Sequence, residues 1–377
     1  MRILHLVHSE GIYGAERILL YLAREQQRSG LQPALGSIRD PGTGQTPFEA
    51  LAGSWGLPVV PIRVAPRPTP GVIRELLRVV RGVAPHVLHS HGYKPNILLG
   101  PLPRRTRGPM LTTLHGWTGA RAFSALWLYE WLDRLALRRI DSVVVVTPSM
   151  LQLPALRALP RRQVIENGIP PLAERLSDLA AAGAGALPDE LVDFTLRAPT
   201  MVAIGRLSPE KGFLLLLEAF ARARAEGDGE QQLLIVGDGA LRALLARRIA
   251  ELGLSGSVRL AGYVEAADRL LQHACGFVMS SLTEGMPLVL LEAMQWRVPI
   301  LATSVGAIPD LLERGRRGLL VPPGDVAALT AGLLRMWHTP APRPCADAGQ
   351  PAAEPYGSSQ MAQRYLDVYR ALSEPRS

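Results

Sequence analysis

The sequence predicts an α/β protein built from two doubly wound, parallel-sheet domains, and three observations predict it. Apolar runs of strand length recur through both halves, and helical patterns separate them. Uninterrupted apolar strands joined through helices form parallel sheets covered on both faces. The 377 residues suffice for two cores of ordinary size. Several strands also run into a glycine-bearing turn followed by a helix. That geometry leaves free backbone N–H groups at the carboxyl end of a sheet.

In chain order, Arg2-Ile-Leu-His-Leu-Val-His8 is the first strand, and Ser9-Glu-Gly-Ile-Tyr-Gly-Ala-Glu16 leads into an amphipathic helix over 17–27. Gly11 and Gly14 shape this loop but fall short of the dinucleotide fingerprint, so a tight turn and an anion site both remain open. Strands follow over 57–62, 86–89, 110–114 and 142–146, with helices over 71–82 and 122–139. Trp127, Trp131 and Leu135 share one face of the second helix and read first as core. With Arg134, Arg138 and Arg139 nearby, the same helix is also a candidate membrane-docking face. His91 and His115 end strands and precede glycines, which places each at the ligand end of the sheet or in a simple loop cap.

A first domain over 1–170 and a second over 171–340 are expected, with 171–199 as linker and surface helix. The second opens with a strand at 200–204, the loop Gly205-Arg-Leu-Ser-Pro-Glu-Lys-Gly212 and a helix over 213–224. Arg206 and Lys211 pair a planar fork with a mobile point charge, a combination suited to a diphosphate. Two solvated loop cations are the other reading. A strand at 232–236 ends in Gly237-Asp-Gly239, and a helix over 240–252 and a strand at 257–260 lead to Val264. The strand at 276–279 precedes the loop with Glu284, Gly285, Met286 and Pro287, and a helix of good formers starts near Leu288 with Pro287 at its first position. Glu284 and Glu292, eight residues apart across that helix start, can converge on the hydroxyls of a sugar or ribose. They can equally be a loop charge and an exposed helix residue. Strands at 298–303 and 318–321 and a helix from Asp325 to Trp337 complete the second sheet. Residues 339–355, with five prolines, form a loose connection to a last helix over 357–372.

Composition narrows the class. With 47% hydrophobic and 20% charged residues the chain is globular, and no apolar run reaches membrane-spanning length. The first residues turn polar too soon for a signal peptide, and Cys275 and Cys345 read as thiols of a reducing compartment. Residues 1–170 carry 21 Lys+Arg against 10 Asp+Glu, while the remainder carries 20 against 23. A basic half can face an anionic membrane, a phosphorylated ligand or nucleic acid. No nucleic-acid motif is present, so nucleic acid is not an expected partner.

The motifs together resemble retaining glycosyltransferases of family 4. Glu284-Gly-Met-Pro-Leu…Glu292 is similar to their E-x7-E motif, and Gly205-Arg206…Lys211-Gly212 to their Gly-Arg-x-x-x-x-Lys-Gly segment. Thr112-Thr-Leu-His-Gly116 is similar to their Thr-x-His segment, and Gln163-Val-Ile-Glu-Asn-Gly-Ile-Pro170 to their crossover segment. Tyr13-Gly14-Ala15-Glu16 departs from the family's Gly-Gly-Ala-Glu loop by replacing its first glycine. The resemblance implies the GT-B architecture, two Rossmann-like domains facing a central cleft, with the segment 356–377 crossing back to the first domain. It further implies sugar transfer from a nucleotide-diphosphate donor to a hydroxyl acceptor with retention.

In that reading Arg206 and Lys211 hold the diphosphate, Glu284 grips the transferred sugar and His115 contacts it. Gly205, Gly237, Val264, Gly285, Met286, Pro287, Leu288 and Glu292 line the donor side, and Gly11 and Gly14 the acceptor side. No cofactor or metal is expected, since no Asp-x-Asp motif occurs. The expected partners are a nucleotide sugar and a glycan or lipid-linked acceptor of surface polysaccharide synthesis. The expected setting is the cytoplasm, at the inner face of the plasma membrane if the anionic contact holds. An epimerase of the same fold and a non-catalytic GT-B binding subunit are the alternatives.

Overall fold

The computed structural model describes residues 1–8, 11–65, 69–116, 125–159, 161–181, 186–227, 229–338 and 356–374. The chain forms two compact units, Met1–Pro170 with Pro355–Ser377, and Pro171–Glu354.

The first unit holds a seven-stranded sheet: β1 (Arg2–His8), β2 (Gln32–Arg39), β3 (Val59–Arg63), β4 (Val87–His91), β5 (Met110–Leu114), β6 (Ser142–Val145) and β7 (Arg162–Val164). Their order is β3-β2-β1-β4-β5-β6-β7, all parallel, so the winding reverses between β1 and β4. Ile3, Leu4 and Leu6 are wholly buried, as a strand covered on both faces requires. β2 is not among the expected strands, because Pro33, Gly36 and Ser37 interrupt its apolar run. Helix Gly14–Arg28 opens beneath Tyr13, whose N–H donates to the Glu16 carboxylate at 3.1 Å; that glutamate caps its own helix. Helix Ser358–Ser373 packs against helix Gly14–Arg28 and β4.

The second unit holds six parallel strands: β8 (Thr200–Ile204), β9 (Gln232–Val236), β10 (Val258–Gly262), β11 (Gly276–Met279), β12 (Ile300–Thr303) and β13 (Leu319–Val321). The order β10-β9-β8-β11-β12-β13 repeats the winding of the first sheet and reverses between β8 and β11. Helices Phe213–Glu226 and Val326–His338 pack on it through Leu216, Phe220, Leu329 and Leu333. Asp325 caps the second of these, its carboxylate accepting from Ala328 N–H at 2.9 Å.

Three expectations change. The stretch 171–199 is more than linker and surface, since helices Leu172–Ala181 and Asp189–Arg197 bury Arg175, Leu191 and Phe194. Its polar and alanine-rich sequence hid those anchors. Pro287 is the extended N-cap (φ −73°, ψ 122°) of helix Leu288–Trp296, not its first helical residue. On helix Ala125–Leu137, Trp131 (45%), Leu128 (49%) and Leu135 (40%) are exposed, so this face is not core. The start of that helix at Ala122 and the connection 339–355 lie outside the described residues.

Candidate active site

In the second unit the loops that follow β8 and β11, the two strands flanking the switch point, are tied together. Ser280 Oγ donates to the Lys211 carbonyl at 2.9 Å, and Leu282 N–H to the Glu210 carbonyl at 2.8 Å. Lys211 Nζ donates to Glu284 Oε1 at 2.6 Å, and Ser281 Oγ to the same oxygen at 2.7 Å. The Glu284 side chain is only 9% exposed, so its charge is held by a partner and not by bulk water. Arg206 is more open, 56% exposed, with Glu210 at 3.1 Å along the loop.

Glycine makes this closeness possible at two positions. Gly212 has φ +66°, and a Cβ there would stand 2.1 Å from the Ser280 carbonyl oxygen. Gly306 has φ +56°, and a Cβ would stand 2.2 Å from that of Glu284. Only glycine satisfies both the backbone sign and the space. The loop after β12 thus braces the loop after β11, and Ala307 N–H donates to the Gly285 carbonyl at 2.9 Å.

The other residues expected on the donor side lie in loops of the same unit. Gly205 N–H donates to Val236, and Gly237 N–H to Gly262, so both close the carboxyl ends of β8 and β9. Gly285, Met286, Pro287 and Leu288 lead into helix Leu288–Trp296, with Met286 buried. The helix start, four residues beyond Glu284, brings a positive dipole end to the same loop. Val264 follows β10, next to the exposed Tyr263. Glu292 is not a surface residue. It is buried, with Arg175 Nη1 at 3.6 Å. Arg175 also donates to Asp268 Oδ2 at 2.8 Å and to Gln295 Oε1, and Trp296 Nε1 donates to the same Asp268 oxygen at 2.9 Å. Sequence reasoning missed Arg175, Ser281 and Gly306. Ser281, adjacent to the motif strand, was the one with a readable signal.

In the first unit His91 closes β4, and His115 follows β5. The rings stack with centroids 5.9 Å apart. Burial lowers the pKa of His115 to about 4 and that of His91 well below its usual value, so both are neutral near pH 7. Gly11 lies in the preceding loop, and Gly14 opens helix Gly14–Arg28.

Two doubly wound sheets, one carrying a cation–carboxylate cluster at the ends of the strands beside its switch point, define a Rossmann-like ligand-binding protein. Residues 13–168 match the family described as "Glycosyl transferase 4-like domain", and residues 198–339 match "Glycosyl transferases group 1". The chain thereby belongs to the GT-B glycosyltransferase superfamily. It is 32% identical to the lipopolysaccharide core biosynthesis glycosyltransferase LpsE of Rhizobium meliloti over 62% of each chain. It is 35% identical to the amylovoran biosynthesis glycosyltransferase AmsK of Erwinia amylovora, over 36% of this chain and 35% of that one. The matched stretches thus span less than two thirds of either relative. The crystal structure of Anabaena HepE in complex with UDP and glucose shares the fold, with a TM-score of 0.77 and 18% identity over 98% of this chain and 100% of that one.

Proposed function

We propose that this protein transfers a hexose from a nucleotide-diphosphate donor to a hydroxyl acceptor, with retention of anomeric configuration. The observation that carries the reading is the Lys211–Glu284 pair, 2.6 Å apart in the loops after β8 and β11, with the exposed Arg206 in the same loop as Lys211 and a helix start following Glu284. A leaving diphosphate needs cations and N–H donors, and a transferred sugar needs a carboxylate to accept from its hydroxyls; this corner supplies both. Arg206 and Lys211 neutralise the diphosphate, and the N–H groups at 285–288 add donors. Glu284, already oriented by Lys211 and Ser281, accepts from sugar hydroxyls. Gly205, Gly237 and Val264 shape the pocket for the rest of the nucleotide.

Glu292, whose carboxylate is held by Arg175, reaches the ribose. His115, neutral, contacts the transferred sugar, and Gly11 and Gly14 shape the acceptor loop. The diphosphate itself receives the acceptor's proton on the face it leaves, which gives retention without a second opposed carboxylate. Arg206 and Lys211 do the electrostatic work that a metal would otherwise do, so no metal takes part.

UDP is the first nucleoside diphosphate to test, because HepE was crystallised in complex with UDP and glucose. A glycan or lipid-linked acceptor of polysaccharide assembly follows the names of the relatives. Membrane contact is supported by helix Ala125–Leu137. Leu128, Trp131 and Leu135 are exposed along it, and Arg138 and Arg139 just beyond it are exposed as well. Such a surface fits the anionic inner face of the plasma membrane, on the cytoplasmic side where nucleotide sugars are made.

The test is acceptor-dependent release of UDP from UDP-glucose, with the anomeric proton coupling of the product read by NMR. An α-linked product from the α-donor supports the reading. Consumption of donor without any acceptor points to an epimerase, and an inverted product removes the retaining assignment.

A further inference from the structure

Three buried histidines share one face of the first sheet: His5 on β1, and His89 and His91 on β4. The strands pair in parallel with His5 level with His89, and His91 lies two residues nearer the carboxyl end. Helices Gly14–Arg28 and Ser358–Ser373 bring Gln26, Tyr365 and Tyr369 onto these rings. Burial keeps all three imidazoles neutral. A neutral imidazole has one N–H and one lone pair, so its partners decide which nitrogen is which.

Gln26 sets the direction. Its Nε2 donates to Tyr369 OH at 3.0 Å, which leaves Oε1 to meet His5 Nε2 at 2.8 Å. An amide oxygen can only accept, so His5 Nε2 carries the proton and His5 Nδ1 the lone pair. That lone pair lies 3.1 Å from His91 Nε2, which therefore carries the next proton. His91 Nδ1 is left as a bare lone pair, buried and without a hydrogen-bond partner among the described residues. The other branch closes inside the core. Tyr369 OH lies 2.8 Å from His89 Nδ1 and His89 Nε2 2.8 Å from Thr113 Oγ1, with Tyr365 OH 2.8 Å beyond.

The unpartnered nitrogen belongs to a residue at the carboxyl end of the sheet. His91 ends β4 and His115 follows the neighbouring strand β5, its Nε2 likewise buried and without a partner among the described residues. Both lie at the carboxyl end of the sheet, His91 on a strand that flanks the switch point, where doubly wound sheets receive ligands. A bare buried lone pair is complementary to a group that can donate. A hydroxyl does so, whereas an ionised carboxylate cannot.

We propose that His91 Nδ1 accepts a hydrogen bond from a saccharide hydroxyl bound at the first unit. Gln26 and His5 are positioning residues that hold His91 in this acceptor form. The inference rests on the sugar-transfer reading above. It excludes use of the trio as a metal site, although its ligand atoms lie within 4.8 Å of one another. A cation on His5 Nδ1 would take the lone pair that receives the His91 Nε2 proton.

The test is ¹⁵N NMR of the histidine-labelled full chain, with His91→Gln assigning the signal. Without ligand, His91 shows a protonated Nε2 and an unprotonated Nδ1. Glucose or UDP-glucose shifts the Nδ1 signal, and UDP alone does not. A response to UDP-glucose only assigns the hydroxyl to the transferred sugar, and a response to free glucose assigns it to the acceptor. In Gln26→Met the tautomer preference disappears and the KM for the saccharide rises about tenfold, while the melting shift with UDP is retained.

Three results overturn the inference: a protonated His91 Nδ1, as a reversed Gln26 amide would give; an Nδ1 signal unmoved by both saccharides; or stoichiometric zinc retained by the wild type and lost in His91→Gln. If UDP-glucose fails to raise the melting temperature of the wild type, the donor reading is what fails, and the glucose titration still decides the role of His91.

Discussion

At the scale of single residues, charge that has lost its water governs the site. Lys211 is the cation on a carboxylate only 9% exposed. Lys211→Ala should therefore cost about 1–3 kcal/mol of stability, read by urea unfolding, and weaken nucleotide binding roughly 10- to 100-fold by calorimetry. Unchanged affinity would remove Lys211 from the diphosphate site. Arg175 serves two buried carboxylates, at 2.8 Å from Asp268 and 3.6 Å from Glu292. Arg175→Met leaves both without their cation and should destabilise by about 3–5 kcal/mol. A loss under 1 kcal/mol in urea unfolding, the range of an exposed pair, would show that the cluster is not a closed unit.

Among elements, the proposed function rests on the loops that leave the strand ends. Gly306→Ala adds a Cβ that would stand 2.2 Å from the Glu284 carbonyl, so the loop after β11 must move. The far-ultraviolet circular dichroism should stay native while donor turnover drops at least tenfold; full activity would show that the brace is dispensable. The histidines on β1 and at the end of β5 make a pH prediction. His5 and His115 are lowered by burial from 6.5 to about 4. Between those values the unfolded chain binds protons that the folded chain does not. Stability is therefore complete above pH 6.5 and falls toward pH 4, by about 1.4 kcal/mol per pH unit for each imidazole. Urea unfolding over that range measures it, and a flat profile would mean that these rings are solvated.

These elements also show what could be read from the sequence. The Arg206, Lys211 and Glu284 loops were legible because glycine, proline and charge punctuate strand ends. Arg175 was not, because its partners Asp268 and Glu292 lie 93 and 117 positions away and only the fold joins them. β2 was hidden by a glycine and a proline inside a strand, and the linkage of His5 to His91 depends on strand pairing that periodicity does not encode.

For the molecule as a whole, the alternation of apolar strands and helices was enough to predict two doubly wound sheets, since that pattern admits few other topologies. Its uneven charge was legible too, but the exposed face of helix Ala125–Leu137 was not. Trp131 and Leu135 fit a core stripe equally well by spacing, and only the packing leaves them exposed. The protein should float with vesicles containing phosphatidylglycerol, less so as salt rises. Trp131→Glu with Leu135→Glu should abolish flotation without lowering the melting temperature. Flotation that persists in the double variant would place the contact elsewhere.

The central claim is a nucleotide-sugar donor bound at the loops after β8 and β11. Thermal unfolding with a panel of nucleoside diphosphates, on wild type and Arg206→Ala, tests it most directly. Arg206 is exposed, so its variant should keep the wild-type melting temperature without ligand. One nucleotide should raise the melting temperature of the wild type, and the variant should lose most of that rise. If no nucleoside diphosphate at millimolar concentration moves the wild type, or if the variant responds in full, the donor site is not where these loops place it.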